Sequence, residues 1–216
     1  MIRIKICCIS SPEEAAMAIR FGADALGLVG KMPSGPGPIA DELIGEIAKG
    51  IHPPVASFLL TSEQSSRGII EHIKRAKTNT VQIVDELIDG TYQEIRDALP
   101  YIKIVQVIHV TGEESIQEAL DLQNDVDAFL LDSGNPKAAI KTLGGTGNTH
   151  NWNISRELVQ QVKRPVFLAG GLNAENVQAA IQQVKPFGVD ICSGVRTNGK
   201  LDRTKLEQFI NAARTA

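Results

Sequence analysis

Cys7 and Asp132 are a thiol and a carboxyl that each close an apolar, strand-like run, Ile2-Arg3-Ile4-Lys5-Ile6 in the first case and Phe129-Leu130-Leu131 in the second. A thiol titrates near about 8.5 and becomes a usable base or nucleophile once its pKa is lowered. Lys5, two residues below Cys7, is a charge that would do so; it also reads as a structural partner for Asp190. A carboxyl following an apolar run is partly desolvated, which raises its pKa and suits a general acid. Asp132 reads equally as a turn aspartate before Ser133-Gly134-Asn135-Pro136. Three glycine turns accompany the pair: Gly144-Gly145-Thr146-Gly147, Gly170-Gly171, and Ser193-Gly194. Glycine turns after apolar strands let backbone N–H groups approach a phosphate without side-chain obstruction. Arg196 follows the last turn and reads as a cation for phosphate or as a loop arginine.

Strand-like and helix-like segments alternate along the whole chain, and these must position such residues. Strands are predicted at 2–7, 25–29, 54–60, 80–84, 102–110, 128–132, 165–169 and 189–193. Helices are predicted at 12–21, 39–49, 63–76, 91–99, 113–122, 154–162, 174–184 and 203–213, with Ser11, Thr111 and Asn173 as N-caps. Eight such repeats predict an α/β fold, a (β/α)8 TIM barrel with one domain over residues 1–216. A doubly wound open sheet is the alternative, but no GxGxxG turn follows the first strand. In a barrel Ile2, Ile4 and Ile6 pack on the helices while Arg3, Lys5 and Cys7 point into the bore. Cys7 then emerges at the catalytic mouth and Cys8 points away from it. Barrel active sites lie at the C-terminal ends of the strands, with phosphate at the loops after strands seven and eight.

Bulk composition excludes several function classes. The 216 residues are 43% hydrophobic and 22% charged, as in a globular domain, and the net charge of -3 argues against nucleic acid. No apolar stretch approaches the about 18 residues of a membrane span. Residues 1–6 alternate charge with isoleucine, unlike a signal peptide, so a cytoplasmic protein is expected. Cys7, Cys8 and Cys192 make neither a disulfide framework nor a zinc spacing, and read as reduced thiols.

Taken in order, Lys5-Ile6-Cys7, Gly22-Ala23-Asp24-Ala25-Leu26-Gly27, Leu131-Asp132, Gly144–Gly147 with Trp152, Ala169-Gly170-Gly171-Leu172-Asn173 with Glu175-Asn176-Val177, and Val189-Asp190 with Ser193-Gly194-Val195 resemble phosphoribosylanthranilate isomerase over nearly the whole chain. The resemblance implies a small barrel isomerase of tryptophan biosynthesis. Such an enzyme performs a cofactor-independent, metal-free Amadori rearrangement of an N-linked phosphoribosyl amine into an aminoketose. It further implies Cys7 as the base at C2 and Asp132 as the acid at the ring oxygen. Gly145, Gly147, Gly170, Gly171, Ser193 and Gly194 align with its phosphate site.

The other end of the site departs from that family. Cys8 replaces the usual glycine, and Lys31-Met32-Pro33-Ser34-Gly35-Pro36-Gly37-Pro38 lacks the arginine that contacts the anthranilate carboxylate. Lys31 is the nearest cation, a point charge rather than a bidentate fork. Ile83-Val84-Asp85 replaces a leucine–histidine–glycine motif, and His150-Asn151-Trp152 a phenylalanine–aspartate–tryptophan; His109 adds an imidazole at strand five. Lys31, Asp85, His109, His150 and Arg196 are therefore further substrate-binding candidates. A related barrel acting on another phosphosugar and a non-catalytic phosphometabolite binder are the alternative readings. The expected partner is a phosphorylated sugar-amine, with the chain a monomer or homodimer.

Overall fold

The computed structural model describes residues 1–134 and 149–216. Its eight parallel strands are β1 (Arg3–Ile6), β2 (Ala25–Val29), β3 (Ala56–Thr61), β4 (Thr80–Ile83), β5 (Lys103–His109), β6 (Ala128–Asp132), β7 (Val166–Leu168) and β8 (Gly188–Ile191). They hydrogen-bond in sequence order, and β8 pairs with β1, so the sheet closes into a barrel. The eight connecting helices are α1 (Pro12–Phe21), α2 (Asp41–Lys49), α3 (Ser66–Ala76), α4 (Tyr92–Ala98), α5 (Glu114–Leu122), α6 (Trp152–Gln161), α7 (Val177–Val184) and α8 (Arg203–Arg214). Among the described residues no helix is long and apolar enough to cross a membrane.

Strand alternation sorts the apolar residues into two shells. Ile4, Ile6, Leu26, Leu28, Val81, Ile83 and Leu131 belong to the core between strands and helices. Val29, Leu60, Val105, Val107 and Leu130 fill the bore together with Cys7. Lys5 and Asp132 take inward positions by the same alternation. The barrel reading, its strand order and the parity of β1 are thus borne out.

Local chemistry accounts for where helices begin. Ser11 caps α1, its hydroxyl accepting from the Glu14 N–H at 3.3 Å, and Gly22 ends it at φ 103. Helix α7 starts three residues later than predicted. Asn173 and Asn176 exchange hydrogen bonds, Asn173 N to Asn176 Oδ1 at 2.8 Å and Asn176 N to Asn173 Oδ1 at 3.0 Å, which forms a separate turn ahead of the helix. Thr111 does not cap α5: Glu113 is at the cap position, and the Thr111 hydroxyl donates to Glu114 Oε1 at 2.9 Å.

Candidate active site

The first wall of the site is β1. Lys5, fully buried, donates to Asp190 Oδ1 at 2.9 Å, and the two are register partners across the β1–β8 seam. Cys7 follows Lys5 on the inward face, its amide donating to the Ile191 carbonyl at 2.8 Å. On β2, Gly27 leaves room for both: a Cβ there would lie 2.8 Å from Cys7 Sγ and 3.0 Å from Lys5 Nζ. Burial pushes the Cys7 thiol up to about 11, against the opposing pull of the Lys5 ammonium.

The second wall is the end of β6. Asp132 Oδ1 accepts from the Ser133 amide at 2.7 Å. Burial raises the Asp132 carboxyl above the usual aspartate range, the neighbouring Asp190 adds to this, and the Ser133 amide, His109 and Lys5 work against it. His109 is the register partner of Asp132 on β5. Its Nε2 lies 2.9 Å from the Val84 carbonyl, which only accepts, so that nitrogen carries the proton.

Cys7 and Asp132 line one cavity at the C-terminal mouth. Gly170, Gly171 and Ser193 line it at the β7–β8 side; Met32, Ser34, Gly35 and Pro36 of the β2–α2 loop reach it as well. Gly170 and Gly171 have φ of 82° and 62°, a region glycine enters without steric cost. Gly194 sits outside the lining, where a Cβ would collide with the Leu172 carbonyl; its missing side chain lets the β7 and β8 loops meet. Gly145 and Gly147 lie outside the described residues.

Cys8 departs from the expectation. Its φ is 61°, so the extended alternation ends at Cys7 and the Cys8 side chain turns to the mouth instead of away from it. There it is bonded to Cys192 as a disulfide, with the Cα atoms 5.8 Å apart. The expectation of three free thiols fails for this pair, because the closing of β8 onto β1 brings together cysteines 184 residues apart in sequence. Cys7 alone remains a free thiol.

The remaining candidates divide. Arg196 is taken up in a strut: its guanidinium pairs with Glu14 at 3.0 Å and donates to the carbonyls of Cys7, Cys8 and Gly199. Lys31 is exposed and precedes the cavity-lining Met32 in the chain, without lining the cavity itself. Asp85 and His109 line an adjoining groove with Tyr92 and Gln106 rather than the cavity itself. His150 Nε2 meets Ser155 Oγ at 2.7 Å, and its Nδ1, without a partner among the described residues, faces Gly170. Burial lowers the His150 pKa to about 4, so the ring is neutral. Of the carboxylate and amide side chains that line the cavity, Asp190 and Gln82 were not among the candidates. Both are polar residues at inward strand positions, the signal that marks them. Among the described residues no group of three or more His, Cys, Asp or Glu is placed to hold a metal ion.

The family model for N-(5'phosphoribosyl)anthranilate (PRA) isomerase matches residues 4–212. An N-(5'-phosphoribosyl)anthranilate isomerase 2 of Methanosarcina mazei is 36% identical, covering 99% of this chain and 94% of the relative. The Methanosarcina acetivorans isomerase is 35% identical, with 98% and 93% covered. Among solved structures, phosphoribosyl anthranilate isomerase from Thermotoga maritima superposes with a TM-score of 0.83 at 30% identity, both chains covered in full. A phosphoribosyl anthranilate isomerase in complex with reduced 1-(o-carboxyphenylamino)-1-deoxyribulose 5-phosphate gives 0.81 at 28%, again over both full chains. This chain belongs to the N-(5'-phosphoribosyl)anthranilate isomerase family.

Proposed function

We propose that Cys7 and Asp132 are the base and acid with which this isomerase converts N-(5-phosphoribosyl)anthranilate into its aminoketose. The observation that carries this is their placement, just past the end of β1 and at the end of β6, in one cavity with glycine turns at its β7–β8 end. Burial favours the protonated carboxyl of Asp132, which gives its proton to the furanose oxygen. The bond from C1 to that oxygen breaks as the nitrogen lone pair forms a C1=N iminium. The Cys7 thiolate then takes the proton from C2. The C2–H electron pair forms C1=C2 and neutralises the iminium, and the resulting enol becomes the ketone by proton transfer to C1. Every bond change is closed by two proton transfers and one tautomerisation, within reach of an acid and a base on separate walls.

Gly170, Gly171 and Ser193 form the phosphate end in this reading, with Gly194 holding the β7 and β8 loops together behind it. The neutral His150 is suited to donate from Nδ1 to phosphate while its Nε2 accepts from Ser155. Arg196 holds the carbonyls of Cys7 and Cys8 and so positions the base. Lys31, which precedes the cavity-lining Met32 in the chain, is the cation of the β2–α2 loop available to the anthranilate carboxylate.

The test is the loss of substrate fluorescence on turnover. Cys7→Ser and Asp132→Asn are each expected to lower kcat by about a hundredfold or more, the scale of a general acid or base. Wild-type turnover retained by either variant would remove that residue from the mechanism.

A further inference from the structure

We propose that the Gln82 side-chain oxygen accepts a hydrogen bond from the N–H that links the sugar C1 to the aromatic ring, and stabilises the positive charge that develops there. This deepens the acid–base reading above and rests on it. Gln82 lies on β4, inward by strand alternation because Val81 and Ile83 face the helices. It pairs in register with Leu60 and Val105, both in the bore. It is only 3% exposed and lines the same cavity as Cys7 and Asp132.

Its Oε1 is buried and has no hydrogen-bond partner among the described residues. A buried acceptor left unpaired is costly in a folded protein, and such an atom is retained where a ligand or an ordered water completes it. Position identifies the ligand group. The glycine turns of β7 and β8 lie across the barrel from β4. A substrate with its phosphate at those turns and its reacting carbons between Cys7 and Asp132 extends its nitrogen toward β4. When the ring opens, that nitrogen becomes an iminium and its N–H a far stronger donor. A fixed carbonyl dipole aimed there binds the cationic state better than the substrate, which is the requirement for lowering the barrier.

The test uses Gln82→Met and Gln82→Glu in the full chain, with turnover of N-(5-phosphoribosyl)anthranilate, affinity for the reduced product analogue, and thermal unfolding. Wild-type turnover is measured first, since its absence would sink the acid–base reading and this inference together. Given turnover, Gln82→Met is expected to lower kcat by about tenfold to a hundredfold, the range of one lost buried hydrogen bond. Affinity for the analogue, whose nitrogen is an uncharged amine, should fall less than kcat, and the unfolding temperature should hold or rise, because an unpaired oxygen has been removed. Gln82→Glu, which keeps an acceptor of the same reach, should retain more activity than Gln82→Met. An unchanged kcat in Gln82→Met would overturn the inference while leaving Cys7 and Asp132 in place. A loss confined to analogue affinity, or a fall in both variants that only follows lost stability, would overturn it as well.

Discussion

Lys5 and Asp190 form a buried ion pair across the seam where β8 closes onto β1, Nζ to Oδ1 at 2.9 Å. The pair also supports the site, because Lys5 is the cation that opposes the effect of burial on the Cys7 thiol. Removing one partner of a buried pair strands the other charge, at a cost of about 3–5 kcal/mol. Lys5→Met should therefore destabilise the barrel strongly and raise the Cys7 pKa further. Chemical denaturation and the pH dependence of Cys7 alkylation measure the two effects separately. Unshifted alkylation would show that Lys5 serves the fold alone.

The pH profile follows from two raised pKa values. Asp132 must be protonated and Cys7 deprotonated to act, and burial pushes both groups toward their protonated forms. Between the two apparent pKa values of the pair, the reacting isomer, protonated carboxyl with thiolate, keeps a constant share of the singly protonated site. kcat/KM should thus be bell-shaped, with a plateau between a limb near about 11, where Cys7 titrates, and a limb above the ordinary aspartate range, where Asp132 titrates. A rate that climbs through neutral pH with a single pKa near that of a free imidazole would point to a histidine base instead.

Asp132 exchanges stability for function. Its folded pKa lies above the ordinary aspartate value, so its contribution is most favourable below the unfolded pKa and is lost as pH rises through the folded one. Above the unfolded pKa, ionising this carboxyl costs the folded state more than the unfolded chain. Asp132→Asn should lower kcat by about a hundredfold or more and raise the unfolding temperature at pH 7, with the gain shrinking at pH below the unfolded pKa. An equal gain at all pH values would assign the effect to something other than titration.

The barrel was legible because periodicity recurs eight times and its parity rule places side chains without knowledge of contacts. That rule put Lys5 and Cys7 in the bore and holds wherever the backbone stays extended. It failed at Cys8, where φ is 61° and no alternation applies. The disulfide to Cys192 was hidden for a different reason: only barrel closure makes those two positions neighbours. Arg196 looked like a phosphate cation because its counter-charge, Glu14, lies 182 residues away. Gln82 carried a readable signal, a polar residue on an inward face. The unpaired state of its oxygen is a property of packing, and no local pattern encodes it.

Gly27 gives a last test that needs no change to any reacting group. A methyl at this position would stand 2.8 Å from Cys7 Sγ, inside any real carbon–sulfur contact, and 3.1 Å from the Cys7 Cα. The backbone of β1 cannot retreat, since Cys7 N is bonded to Ile191 and its carbonyl to Arg196. The side chain of Cys7 must yield, and displacement of a reacting atom by about 1 Å can cost a hundredfold in rate. Gly27→Ala should therefore lower kcat by about that factor and destabilise by about 1–3 kcal/mol, the cost of overpacking a filled core. The asymmetry between these two losses is the measurement. If Cys7 is the base, activity falls far below what the remaining folded fraction accounts for, whereas activity tracking that fraction would mean that the position of the thiol is immaterial to the reaction.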